Sequence, residues 1–238
     1  MRKILGATLL GILLIYACIQ GALWQFDRHE TRHAKNELIR QNVSLPAVSE
    51  SELQRLSKSD VAWRKISLVG NFIPEKEILI RNRYHEGKYG FGVVTLFSSQ
   101  AGKSYWVDRG WVIAGKDAQT APEVVPTDNS LVEIQARVRV EGIESQVQGS
   151  VFAVPGNINQ QKLQKWDSDQ LVETEQVYLD LISASDSRIT PEVPTALPII
   201  GDGPHLAYSL QWIIFALLVV LAWILVVREE RRSHAEKL

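Results

Sequence analysis

Two uncharged runs dominate the pattern of apolar and polar positions along this chain of 238 residues: Ile4 to Leu23, twenty residues, and Leu206 to Val227, twenty-two. A helix rises about 1.5 Å per residue, so each run is long enough to cross a hydrocarbon core of about 30 Å. The sequence between them is polar and sized for one domain. A soluble cytoplasmic protein and a polytopic carrier are both excluded by this arrangement.

The intervening region reads mostly as strands. Between Leu131 and Gly142, Val132, Ile134, Ala136, Val138 and Val140 alternate with Glu133, Gln135, Arg137, Arg139 and Glu141, the period of a half-buried antiparallel strand. Further strands are predicted at Val61 to Phe72, Glu77 to Arg81, Gly90 to Ser99, Ser104 to Ile113 and Gln176 to Ile182, six in all, enough for a barrel or sandwich. Helices are predicted at Ser49 to Lys58, opened by a Ser49/Glu52 capping box, and at about Gln160 to Val172. Gly87, Gly90 and Gly92 suit a bulge or sharp bend, and Gly102 suits a hairpin loop. Pro191, Pro194, Pro198 and Pro204 predict a stiff, extended connector. The expected fold class is therefore α+β: two transmembrane helices (4–23 and 206–227) flanking a β-rich domain (24–190), with a connector over 191–205 and a basic tail over 228–238.

Arg2 and Lys3 precede the first run, which exceeds the apolar core of a signal peptide and lacks an A-x-A site, so it is read as a retained anchor. Arg228, Arg231 and Arg232 follow the second run, and the positive-inside bias puts that end in the cytoplasm. Both termini are then expected inside a bacterial inner membrane, with the central domain periplasmic or otherwise extracytoplasmic. Arg28, Arg32, Lys35 and Arg40 run against this bias.

The chain carries 26 Lys and Arg against 27 Asp and Glu. Removing the six bases and three acids of the two tails leaves 20 against 24, an acidic balance that argues against a nucleic-acid partner. A single cysteine, Cys18, excludes a disulfide framework and a cysteine metal cluster. His29-Glu30-Thr31-Arg32-His33 matches the H-E-x-x-H pattern of zinc proteases. It sits among Arg28, Arg32, Lys35 and Arg40, and no third ligand is evident, so a juxtamembrane helix meeting lipid headgroups is the favoured reading.

At 100° per residue, His205, Tyr208, Ser209 and Trp212 share one helical stripe. That stripe is either an interfacial aromatic belt or a site holding a flat ligand at the membrane surface. Asp108-Arg109 near Trp111 offers an anion site, and Tyr105, Trp106 and Trp111 offer a pocket lining, although alternating aromatics on a strand more often pack a core. No nucleophile elbow or interpretable carboxylate pair points to catalysis.

Five segments in order carry a resemblance. They are Gly21-Ala22-Leu23-Trp24-Gln25 with Arg28; Val69-Gly70-Asn71-Phe72; Asn82-Arg83 through Gly87 to Gly90-Phe91-Gly92-Val93-Val94-Thr95-Leu96; Val107-Asp108-Arg109-Gly110-Trp111-Val112; and Gly203-Pro204-His205-Leu206-Ala207-Tyr208-Ser209-Leu210-Gln211-Trp212. Together they resemble the Surfeit locus protein one family, which helps to assemble haem-copper cytochrome c oxidase. The last motif is the most specific. Departures are a glycine three residues before Trp24, Phe97 near the family's usual proline, and Asp108 where the family has asparagine.

The resemblance implies a non-enzymatic assembly factor that binds or presents haem a for insertion into oxidase subunit one, working with that subunit, other assembly factors and the lipid bilayer. Carried over, His205 becomes the axial ligand to haem iron, with Tyr208, Gln211, Trp212, Trp24 and Gln25 around it and a cationic side chain facing the propionates. Arg83, Gly90, Asp108, Arg109, Gly110 and Trp111 become residues that hold the domain's shape or contact the oxidase. The alternative is a haem-free scaffold for subunit one or other assembly factors; a zinc protease at His29 and His33 ranks below both.

Overall fold

The computed structural model describes residues 2–116, 120–140, 160–197 and 200–235. It divides into a helical unit (residues 1–34 and 201–238) and a barrel unit (35–200).

The helical unit contains most of α1 (Arg2–Ser44) and all of α5 (His205–Ala235), both long and apolar enough to cross a membrane. Most of their large apolar side chains, such as Leu13, Leu217 and Leu225, point outward, as helices surrounded by lipid require. The face between them is different. Cys18, Ala22 and Ser209 are buried there, and small residues of this kind let two helix backbones approach closely. Polar groups pair across the face: Ser209 Oγ donates to the Ala22 carbonyl at 3.0 Å, and Trp223 Nε1 donates to Thr8 Oγ1 at 2.9 Å.

In the barrel unit, β1 (Lys65–His85), β2 (Lys88–Ser99), β3 (Ser104–Ile113), β4 (Val132–Arg139) and β5 (Tyr178–Ala184) close in the order β1-β2-β3-β5-β4. Only β3 and β5 are parallel. Closure depends on β1, whose first residues (65–70) pair with β4 and whose remainder pairs with β2. Two predicted strands are thus one. The register jumps between Ile73 and Glu77, where Pro74 cannot donate to a ladder, so the sequence shows a break where the structure has a bulge. A second bulge lies between Ile80 and Arg83, with Asn82 at φ 62°. Glu86 and Gly87, both at positive φ, make a two-residue turn into β2.

One parity of the strands forms the main core, including Ile66, Leu68, Phe72, Phe97, Val107, Ile134, Val138 and Leu179. Ile39, near the end of α1, joins it. There Asn42 Nδ2 donates to the carbonyls of Ser59 and Ala62 at 2.7 and 2.8 Å. The opposite parity carries a second cluster of Val94, Leu96, Trp106 and Tyr178, covered by Leu163 and Trp166 of α4 (Gln160–Gln170). Trp106 Nε1 donates to Asp167 Oδ1 at 2.8 Å and ties that helix down. The predicted helix from Ser49 is two short ones, α2 (Glu50–Leu53) and α3 (Lys58–Val61), because Ser57 opens a second cap. The Ser49/Glu52 capping box is present.

The alternation along β4 does not leave its polar parity uniformly wet. Glu133 is exposed, but Arg139 is buried, its guanidinium 4.7 Å from the Trp63 ring centroid. The predicted strand end at Glu141 and Gly142 lies outside the described residues, as do Pro198 and the last three residues of the tail.

Leu179→Ala, at a fully buried position, should cost about 2–5 kcal/mol and lower the midpoint of thermal unfolding in detergent. Leu171→Ala, at a position 91% exposed, should change stability by less than about 0.5 kcal/mol.

Candidate functional site

Two groups of polar residues stand out, one in each unit. In the barrel unit, Asp108 is 1% exposed and fully engaged. Its Oδ2 accepts from Arg83 Nη2 at 2.5 Å and from the Tyr178 hydroxyl at 2.9 Å, and its Oδ1 accepts from the Gly110 amide at 2.9 Å. Burial opposes the Arg83 charge, but the adjacent Asp108 carboxylate holds the guanidinium protonated, above its ordinary range. Burial, then Asp108, pushes the Tyr178 phenol well up.

On the parallel neighbour strand Asp180 lies opposite Asp108. Arg139 Nη1 donates to its Oδ2 at 3.2 Å, while Oδ1 is enclosed without a hydrogen bond. Burial raises the Asp180 carboxyl, the Arg139 charge works against that, and Asp108 adds to the rise.

Arg109 points to the other parity. Its Nη1 donates to Glu77 Oε2 at 3.0 Å and its Nη2 to the Val125 carbonyl at 2.5 Å, and burial lowers its guanidinium against the pull of Glu77. Arg109 and Trp111 line a groove of about 720 Å³, with Val125, Ile189 and Pro191 among its walls. Tyr105 and Trp106, the other expected lining residues, pack in the two cores instead. Gly110, at φ 95°, sits where a Cβ would lie 2.8 Å from Pro191, and the Trp111 amide donates to the Val193 carbonyl at 3.0 Å. The proline-rich connector is therefore docked on β3 at this point. Gly90 leaves room for the Trp111 indole, whose Nε1 donates to the Arg83 carbonyl at 3.2 Å.

In the helical unit, His205 opens α5. His205 Nδ1 lies 2.9 Å from Gln25 Oε1 of α1, and both residues are partly buried. Its Nε2 takes no hydrogen bond from the described residues. One turn along α5, Ser209 holds the Ala22 carbonyl. Trp212 lies flat against Gly21, where a Cβ would come within 2.8 Å of the indole. This close approach explains why the glycine stands three residues before Trp24.

Three of the four residues in the predicted α5 stripe thus face α1. Tyr208 is the fourth, 47% exposed at its edge. With Gln25 and His205 each taken as zero, Gly21 and Trp212 fall about 40° and 20° to one side of their helices. Trp24, Arg28 and Tyr208 fall about 100°, 60° and 60° to that same side. That flank therefore carries two aromatic rings and a guanidinium beside His205. Trp24 is 55% exposed, and the Arg28 guanidinium sits 5.6 Å from its ring centroid. Gln211 is exposed.

His29 and His33 do lie one turn apart on α1, with ring centroids 6.0 Å apart. His33 Nδ1 is 3.0 Å from Asp202 Oδ2, whereas His29 Nδ1 is enclosed without a hydrogen bond. Among the described residues no group of three or more His, Cys, Asp or Glu is placed to hold a metal ion. The resemblance had set Gln25 around His205, whereas the Asp202 partner of His33 was visible in the sequence only as a neighbour of a motif; no spacing rule links positions 180 and 169 residues apart.

A model described as the SURF1 family matches residues 12–217. An uncharacterized SURF1-like protein of Mycobacterium bovis is 28% identical over 223 residues, covering 90% of this chain and 79% of its own length. One from Mycobacterium tuberculosis strain H37Rv matches to the same extent. A SURF1-like protein of Rickettsia felis is 29% identical over 90 residues, 37% of this chain and 38% of its own.

Asp108→Ala would leave Arg83 buried without its counter-charge and should cost about 3–5 kcal/mol, read as a lower unfolding midpoint. The raised Asp180 carboxyl gives a signed pH effect. Its contribution to stability is complete below the unfolded value of about 4 and is lost as pH rises through the higher folded value. Asp180→Asn should remove that slope, so denaturation between pH 4 and 7 should show the variant gaining on the wild type as pH rises.

Proposed function

The chain belongs to the SURF1 family, and from that premise we propose that it is a membrane-anchored assembly factor for haem-copper cytochrome c oxidase that binds haem a and presents it to subunit one. The observation that carries the haem reading is His205: Nδ1 is held by Gln25, and Nε2 has no hydrogen-bond partner among the described residues. An imidazole restrained in this way is suited to ligate iron through its other nitrogen.

The surroundings fit a porphyrin. Trp24, Tyr208 and Trp212 supply aromatic surface, and Arg28 supplies a cation for carboxylate side chains of the ligand. Haem a would bring the iron that accepts the imidazole; this chain's part is to bind, orient and shield it at the end of α5. The membrane helices support a bilayer setting, and the positive-inside bias favours both termini in the cytoplasm with the barrel outside. The reading involves no turnover chemistry.

A second reading is a haem-free scaffold, and the groove beside Arg109 and Trp111 favours it. At about 720 Å³, with both apolar and charged walls, it is a surface on which the barrel can hold a segment of subunit one or of another assembly factor.

Detergent-purified protein, co-expressed with haem a synthesis, should carry stoichiometric haem a by pyridine haemochrome analysis, and His205→Ala should lose it. Haem absent from both, with co-purification of oxidase subunit one intact, would replace the haem reading by the scaffold.

A further inference from the structure

We propose that Gln25 is the positioning residue that sets the tautomer of His205, holding the proton on Nδ1 and the lone pair on Nε2. The proposal rests on the reading of His205 as an iron ligand. A neutral imidazole carries one proton on one of two nitrogens, and the nitrogen that bears it cannot bind a metal. The partner of the other nitrogen therefore decides which face of the ring is available.

Gln25 Oε1 is directed at Nδ1 at 2.9 Å. An amide oxygen only accepts hydrogen bonds, so Nδ1 donates and Nε2 is the free base. Competition for either group is absent among the described residues, since neither side chain makes a second hydrogen bond. Both side chains are partly buried, which limits the water that could replace an unmade hydrogen bond and strengthens the preference.

The backbone is held in register on both sides of the pair. Gly203, at φ 68°, has the Arg32 guanidinium where its Cβ would be, and one turn beyond His205 the Ser209 hydroxyl grips the Ala22 carbonyl. Gly21 lets Trp212 close against α1. These contacts fix the separation of α1 and α5 at the level where Gln25 must reach His205.

His33 provides the internal comparison. Its Nδ1 is also held, by Asp202 at 3.0 Å, but its side chain is 51% exposed. Water can there replace what the partner supplies. A neutral amide also differs from a carboxylate as a partner: a carboxylate draws the Nδ1 proton more strongly and makes the opposite nitrogen more basic. Gln25 thus orients the ring through an uncharged partner, suited to a group that must later be handed on.

The test uses the full chain in detergent micelles, with histidine labelled with nitrogen-15 and no haem. Long-range proton–nitrogen correlation assigns the tautomer of each ring, using His205→Ala to identify its signals. The wild type should show His205 protonated on Nδ1, and Gln25→Leu should shift it to a mixture or to the Nε2 form. Gln25→Glu, which keeps an acceptor at the same reach, should restore the Nδ1 form, and His33→Ala should leave His205 unchanged.

With haem a supplied, Gln25→Leu should weaken binding by about 10–100-fold, and Gln25→Glu should bind with a shifted iron reduction potential. A wild-type His205 protonated on Nε2, or a tautomer indifferent to Gln25→Leu, overturns the proposal even if haem binds. A wild type that binds no haem but shows the Gln25-dependent tautomer instead overturns the haem reading and leaves the tautomer assignment standing.

Discussion

A polar side chain among apolar surroundings must find its partner within the protein, and three side chains on the facing sides of α1 and α5 meet that constraint across the interface. Ser209 takes the Ala22 carbonyl, Trp223 takes Thr8, and Gln25 takes one nitrogen of His205. The other imidazole nitrogen has no hydrogen-bond partner among the described residues. Small residues at the crossing make these bonds reachable, and an indole packed on Gly21 sets how closely the helices meet. The candidate site follows from satisfying the rest of the interface: a base is exposed because its ring is held from behind.

The barrel unit meets the same requirement with charge. Asp108 draws donors from β1, β3 and β5 to one buried carboxylate. Residues that read as a functional signature, Arg83, Asp108 and Gly110, are engaged there with one another or with the connector. Such a network stabilises little by itself relative to an apolar core, but losing one member leaves a buried charge uncompensated. Its clearest effect is positional. It holds β3 so that Arg109 falls on the opposite parity, at the groove, while the bulge at Arg109 and Gly110 returns the Trp111 indole to the Asp108 side, against Gly90.

Much of this was legible along the chain. The two apolar runs, the Ser49/Glu52 cap, the hairpin at Gly102 and most strand positions follow from local periodicity and turn chemistry, which act over a few residues and so leave a pattern in sequence. The misreadings were of another kind. Pro74 marked a break that is a bulge within one long strand, and Arg139, predicted on a wet face, is covered by Trp63 and paired with Asp180. Both depend on which strands become neighbours.

The sequence by itself determined that the chain carries two helices able to span a membrane around a β-rich domain, and its ordered motifs pointed to the family, because length, hydropathy and motif order are properties of the chain read in one direction. Tertiary structure alone decided that five strands close a barrel, that Asp108 is engaged by Arg83 and Tyr178, that Gly21 receives Trp212, and that Gln25, which the motifs had set around His205, meets its Nδ1. Those pairings join positions far apart in the chain through distances of about 3 Å. Only the folded backbone sets such distances, so no spacing along the sequence could have announced them.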